Sequence, residues 1–88
     1  MTSIKHDQLK MLVENSGVKG ITIVGDPAGF CVNVTTLSGD KYLFTKTGHM
    51  RLFKKVETLL DYLKSDIGIG KATIQFDRWN PAQATIKG

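Results

Sequence analysis

Apolar residues near the start of the chain recur at the spacing of a helix. Leu9, Leu12 and Val13 follow the i, i+3, i+4 pattern that places side chains on one helical face. This spacing predicts a helix over residues 4–15. Gly17 follows it as a C-terminal stop, since glycine is favoured where a helix ends.

The next part of the chain alternates instead with a period of two. The segments that predict strands are "VKGITIVG" at 18–25, "FCVNVTTL" at 30–37 and "KYLFTK" at 41–46. Phe30, Val32 and Val34 alternate with smaller or polar residues, so one face of the middle strand is expected to be buried. Because the links "DPAG" and "SGD" are short turns, the three strands predict an antiparallel meander.

A second apolar stripe predicts a helix over residues 53–65. Val56, Leu59, Leu60 and Leu63 share one side of it. We expect Val56, Leu60 and Leu63 to be buried against the sheet. The contact residues expected there are Ile23, Val32, Val34 or Phe44.

The remaining residues predict one more strand. "DIGIG" ends the second helix, and "KATIQFDRW" at 71–79 alternates as a strand does. The fold class predicted is therefore α+β, a two-layer domain with an antiparallel sheet in the order α-β-β-β-α-β and both helices on one face. Residues 1–80 are expected to form a single domain and residues 81–88 a loose C-terminal tail.

Composition narrows the class of protein. Hydrophobic residues make up 41% of the 88 residues and charged residues 23%, which is typical of a globular domain and excludes a disordered chain. The start of the chain has no apolar core of a secretory signal, and no apolar run approaches the length that spans a membrane. With only Cys31 present, no internal disulfide can form, so we predict a cytoplasmic protein without a membrane partner.

Positive charge is concentrated in one part of the chain. The net charge is +4, and residues 41–56 contain no acidic residue. The basic residues inside this interval are Lys41, Lys46, Arg51, Lys54 and Lys55. Such a block favours a phosphate-bearing partner, although the same lysines are also expected at the solvated ends of strands and helices.

Signals for catalysis are weak. His6 and His49 are far apart in sequence and neither belongs to a metal-binding pattern, so we predict no metal and no cofactor. Cys31 with a histidine would in principle make a nucleophile and base, but Cys31 lies within a predicted strand where a small, half-buried residue fits, and this is the favoured explanation. "GIGKAT" at 68–73 departs from the phosphate-loop pattern and stands between a helix and a strand, the reverse of the required order. We predict that the protein is not an enzyme.

The start of the second helix is the strongest candidate for a binding site. Arg51, Lys54 and Lys55 surround the helix start, where unpaired backbone N–H groups and the helix dipole attract anions. Glu57 and Asp61 lie on the exposed side of the helix, which argues against a recognition helix in a major groove. The pattern therefore predicts contacts to the nucleic-acid backbone.

Three further residues join this candidate nucleic-acid site. Lys46 and His49 precede the cluster closely, and Trp79 follows the last predicted strand beside Arg78. A tryptophan at such a position can stack on a base or anchor a partner, or it can close the end of the core. The predicted nucleic-acid-binding residues are Lys46, His49, Arg51, Lys54, Lys55 and Trp79.

Part of the chain resembles a known group of proteins. "RLFKKVETLLDYLK", "IGI" and "FDRWNPA", within residues 51–82, resemble short accessory proteins of bacterial plasmids and integrating conjugative elements, which are loosely described as partition-associated. The resemblance implies a mobile-element accessory protein and carries no defined activity. The double-stranded RNA-binding domain also has an α-β-β-β-α order and a basic start to its second helix, but Val56, Glu57 and Thr58 depart from it, as does the added strand.

Two functions remain open from the sequence. One is a small DNA-binding or RNA-binding module that contacts the backbone weakly and with little sequence preference. The other is a protein–protein adaptor that uses the open sheet face or an edge strand, with another protein or a second copy as its partner. Backbone binding weakens steeply with salt, whereas an apolar interface does not.

Overall fold

A computed structural model of the chain describes residues 3–79. The elements in chain order are β1 (Ser3–Lys5), α1 (His6–Glu14), β2 (Val18–Asp26), β3 (Gly29–Thr36), β4 (Gly39–Phe44), α2 (Val56–Asp61) and β5 (Thr73–Gln75). A π-helical segment, Tyr62–Ile67, continues directly from α2. The α+β class is confirmed. The predicted tail at 81–88 lies outside the described residues.

The strands form one five-stranded mixed sheet in the order β1-β4-β3-β2-β5. The central strands β2, β3 and β4 are antiparallel neighbours, as the short turns predicted. The wholly antiparallel layout and the element order were wrong, because β1 pairs with β4 and β5 pairs with β2 in parallel. Strands that run parallel need a crossover connection. Along the chain, α1 precedes the meander and α2 follows it, and these helices form part of the two connections.

β1 was not predicted, and its presence moves the start of the first helix. The predicted helix over 4–15 is a strand up to Lys5 and a helix only from His6. Ile4 pairs with Leu43 and is buried in the core rather than on a helical face. The start of α1 is fixed by Gln8, whose side-chain oxygen accepts a hydrogen bond from the backbone N–H of Lys5 at 2.9 Å.

The core lies between the two helices and one face of the sheet. Register places Ile21 opposite Val34 and Ile23 opposite Val32 on this face. The same cluster contains Leu9 of α1 and Leu59 and other residues of the second helix, so both helices cover this face. The predicted helices-on-one-face arrangement agrees with this core.

The predicted burial of the second helix is partly wrong. Leu63 is buried and Val56 is partly buried, but Leu60 is 45% exposed and Leu59 is fully buried in its place. The helix also continues to Ile67 through a π-helical turn. This wider turn adds a residue, so Ile67 points into the core five residues after Tyr62.

The second face of the sheet carries a different set of side chains. Cys31 and Asn33 lie on it at the centre of the sheet and are buried even though both helices pack on the first face. Tyr42 and Phe44 flank them and are partly buried. Phe44 was expected in the core beneath the second helix, and this was wrong because Leu43 is the β4 residue that points there.

Among residues 3–79, no helix is both long enough and apolar enough to cross a membrane.

Candidate functional site

The predicted binding residues lie at one end of the sheet. β1, β2, β4 and β5 all finish at this end, and β3 begins there. We call it the basic end and define it by the predicted residues Lys46, His49, Arg51, Lys54, Lys55 and Trp79. Lys41 belongs to the same acid-free interval but lies near the opposite end, opposite Val34.

A tight turn after β4 presents Lys46 and His49. The backbone N–H of Thr45 donates to the His49 carbonyl at 2.6 Å, and the N–H of Gly48 donates to the Thr45 carbonyl at 3.0 Å. Gly48 has a φ of 92°, a left-handed conformation that glycine adopts without strain. Both predicted side chains are exposed on this turn.

Residues 50–53 then return between the diverging strands β4 and β3. The N–H of Arg51 donates to the Leu43 carbonyl at 2.9 Å. Phe53 exchanges two backbone hydrogen bonds with Phe30, each 2.8 Å long. These bonds fix the backbone immediately before Lys54.

The approach of this segment to the β2–β3 turn requires a glycine. A Cβ atom added to Gly29 would lie 2.8 Å from the carbonyl oxygen of Phe53, and Gly29 has a φ of 142°. Lys54 has its Cα 3.9 Å from the same position, so it sits beside the β2–β3 turn. The "DPAG" turn therefore helps to set where the lysine pair emerges.

Lys54 and Lys55 are both exposed at the start of the second helix. Lys55 is the N-cap residue of α2, with φ −119° and ψ 133°, and its side chain makes no capping hydrogen bond. The predicted helix start at residue 53 was therefore three residues too early. Because α2 has only six residues and carries Glu57 in its first turn, we assign the positive character of this region to the two lysines rather than to the helix dipole.

Arg51 is held differently from the lysines. Its guanidinium carbon lies 4.9 Å from the ring centre of Phe53 and 5.3 Å from that of Tyr62, a cation–π arrangement. The side chain is half-buried, so part of its charge faces aromatic rings rather than solvent. Arg51 shares the basic end with Lys54 and Lys55, but it also contributes to packing.

Trp79 packs on the core and is only partly buried. Its ring centre lies 6.1 Å from that of Phe30 with the planes inclined by 34°. A Cβ atom added to Gly25 would meet the Phe30 ring at 2.9 Å and the Trp79 Cβ at 3.4 Å, so this glycine makes room for both aromatics. The structure thus gives Trp79 a packing role and leaves part of its surface accessible beside the basic end.

Two residues at this end were not anticipated. The Nζ of Lys5 donates to the Lys46 carbonyl at 3.5 Å, which brings a further lysine to the turn after β4. His6 places its Nδ1 atom 2.8 Å from the Tyr62 hydroxyl oxygen. Both were missed because β1 was read as the first turn of a helix, and only its pairing with β4 brings them here.

The residues considered for catalysis do not form a reactive arrangement in the described part of the chain. Cys31 is buried in β3, and burial, reinforced by the negative charge of Asp26, raises the pKa of its thiol above the ordinary value of 9.0. A raised pKa disfavours the thiolate that a nucleophile requires. Within residues 3–79, no three histidine, cysteine or acidic side chains lie close enough to hold a metal ion.

Comparison of the chain with protein-family models, with curated proteins and with solved structures gives no match in any of the three. The resemblance to mobile-element accessory proteins therefore stays a prediction, and the functional proposal rests on the geometry of the basic end.

Proposed function

We propose that this protein is a small non-enzymatic module that binds the phosphate backbone of nucleic acid through the basic end. The observation that carries the proposal is the folding of residues 45–56, the part of the acid-free interval that follows β4, around this end. Its turn presents Lys46 and His49 there, and its last residues present Lys54 and Lys55. Exposed lysines gathered on one surface attract phosphate and release counterions from it.

The arrangement favours backbone contacts over sequence reading. The second helix offers Glu57 and Asp61 on its exposed side, and carboxylates there would repel phosphates if the helix entered a groove. We therefore expect similar affinity across sequences, as befits an accessory protein of a bacterial plasmid or conjugative element, the setting suggested by residues 51–82.

A salt titration with variants tests the proposal. Labelled duplex DNA, single-stranded DNA and RNA are titrated with the protein at low and moderate salt, and the logarithm of the binding constant is plotted against that of the salt concentration. The Lys54→Ala/Lys55→Ala double variant should lower the slope by about 2, near one unit for each lost phosphate contact. Its stability should barely change, because exposed lysines contribute little to folding.

A matched pair of lysines elsewhere controls for the loss of net charge. Lys19 at the start of β2 and Lys64 in the π-helical segment are both exposed and lie away from the basic end. The Lys19→Ala/Lys64→Ala double variant removes the same charge and should keep the wild-type slope. Equal effects of the two double variants, or no binding by the wild type at low salt, would refute a localised backbone site.

A protein-binding role is the second candidate, and a separate feature favours it. Ile74 and Phe76 are exposed apolar side chains in and just after the edge strand β5, and neither belongs to the basic end. Binding through such a surface should persist as salt is raised, which separates it from binding to phosphates.

A further inference from the structure

The outer edge of β5 is open to pairing. β5 is the last strand of the sheet, and among residues 3–79 no strand lies on its outer side. All of Thr73–Gln75 is exposed. An edge strand in this state presents a row of backbone N–H and C=O groups that another strand can bind.

Apolar side chains lie directly beside this edge. Ile74 is 42% exposed and Phe76 60% exposed, although Ile74 pairs with the fully buried Ile23 of β2. Leu60 and Ile74 line the same groove of about 260 Å³ between the second helix and β5. We call Leu60, Ile74 and Phe76 the β5 patch. Leu60 and Ile74 of this patch lie on the helical side of the sheet, where the helical layer leaves the edge strand uncovered.

The other edge of the sheet lacks these features. β1 is as short as β5, but its apolar residue Ile4 is buried and its exposed residue is Lys5. A charged side chain, especially lysine, is one means by which an edge is kept from pairing. The two edges therefore differ, and an interface would use β5.

When residues 71–77 are aligned antiparallel with a second copy of the same segment, Lys71 falls opposite Asp77 and Ile74 falls opposite itself. We infer that two copies of this chain pair through their β5 strands, antiparallel and centred on Ile74, so that one sheet continues across a two-fold axis. This register sets Thr73 opposite Gln75, and just beyond the two ends of the ladder it brings Lys71 of one copy towards Asp77 of the other, twice by symmetry. Both charged residues are exposed. Such an isologous contact closes on itself, whereas pairing β5 with β1 would build an open chain.

The size of the contact sets its strength. A three-residue ladder buries little surface alone, and stable dimers bury on the order of 1,000 Å² or more. The β5 patch adds apolar area on one side of the ladder. The expected state is a weak, reversible dimer that forms as the protein concentration rises.

Sedimentation velocity of the full chain over a wide concentration range, without nucleic acid, measures the association directly. The wild type should move from monomer to dimer. Ile74→Lys should abolish the dimer, since it brings two like charges together on the two-fold axis. Leu37→Lys changes an 83% exposed leucine in the β3–β4 turn in the same way and should leave association unchanged.

A charge swap tests the register. Lys71→Asp and Asp77→Lys, made singly, each place like charges opposite one another at two symmetric positions, and each should weaken the dimer by about tenfold, or roughly 1.4 kcal/mol. The Lys71→Asp/Asp77→Lys double variant restores opposite charges and should recover wild-type association. Far-ultraviolet circular dichroism checks that each variant is folded.

Three results would overturn the inference: a wild type that stays monomeric at all concentrations, a dimer that survives Ile74→Lys, or a double swap that fails to recover association. None of them bears on backbone binding at the basic end, because the two surfaces share no residue.

Discussion

Tyr62 joins three parts of the chain through its ring and its hydroxyl group. The hydroxyl oxygen lies 2.8 Å from Nδ1 of His6 in the first helix, and the ring lies under the guanidinium of Arg51. Its ring centre is 5.5 Å from that of Phe53. Arg51 is therefore held by packing against aromatic rings, whereas the side chains of Lys54 and Lys55 are exposed to solvent. Basic residues that are close in sequence thus have different structural roles.

Two buried acidic groups should make the fold less stable at alkaline pH. Burial raises the pKa of Cys31 above 9.0, and burial raises the pKa of Tyr62 above 10.0, with Arg51 lowering it and Asp66 and Asp7 raising it. A raised pKa in the folded state contributes stability below the unfolded pKa, and that stability is lost as the pH rises through the folded value. The free energy of unfolding should therefore fall from about pH 9 upward.

Urea denaturation at a series of pH values measures this effect. Cys31→Ala should remove the part of the decline that begins near pH 9, and Tyr62→Phe the part that begins near pH 10. If both variants decline as steeply as the wild type, other groups cause the loss.

At the scale of elements, the orientation of the second helix determines which of the adjacent residues Leu59 and Leu60 is buried in the core. Leu59, Leu63 and Ile67 face the sheet, and Leu60 faces the groove beside β5. A periodic pattern alone could not choose between adjacent leucines, because both fit an apolar stripe. The π-helical turn that selects Ile67 over Asp66 is set by backbone bonds near Leu63, whose carbonyl accepts from Gly68 and Ile69, each at 2.8 Å.

Truncation of the two leucines should separate their roles. Leu59 is 0% exposed, so Leu59→Ala should cost about 2–5 kcal/mol through lost burial and a cavity. Leu60→Ala should change the free energy of unfolding by less than about 1 kcal/mol, because this side chain is 45% exposed and lies outside the core cluster. Both are measured by chemical denaturation at a concentration low enough to keep the chain monomeric. A larger cost for Leu60→Ala would contradict the register of the second helix.

The local elements were more predictable than their arrangement. Strands β2, β3 and β4 follow from alternation and from turns such as "DPAG", whose Ala28 N–H donates to the Asp26 side chain at 2.9 Å. β1 has three residues, too few for a periodic signal, whereas β5 was predicted from alternation over 71–79 but comprises only Thr73–Gln75. The parallel pairing of both strands depends on contacts distant in sequence. The cluster of basic residues between Lys46 and Lys55 could be predicted because it is nearly contiguous in sequence. The proximity of Lys5, His6 and Trp79 to this cluster depends on the pairing of β1 with β4 and of β5 with β2.

At the scale of the whole molecule, the two proposed surfaces have a fixed relation. β5 is parallel to β2, so its C-terminal end lies at the basic end. In an antiparallel β5–β5 pair, the partner's basic end must then lie at the opposite end of the continuous sheet. Such a dimer would present two backbone-binding surfaces that point away from each other.

A dimer of this geometry should bridge two nucleic-acid molecules. One short duplex is fixed to a surface and loaded with protein, and a second, labelled duplex is then supplied in solution. The wild type should capture the labelled duplex at protein concentrations at which it is dimeric. Ile74→Lys should bind the first duplex with at least wild-type affinity per chain, since it adds a positive charge, and should fail to capture the second, because a monomer has a single basic end. Lys54→Ala/Lys55→Ala should weaken both steps while remaining dimeric. Capture of the second duplex by Ile74→Lys would show that a monomer holds two duplexes, contrary to bridging by the dimer.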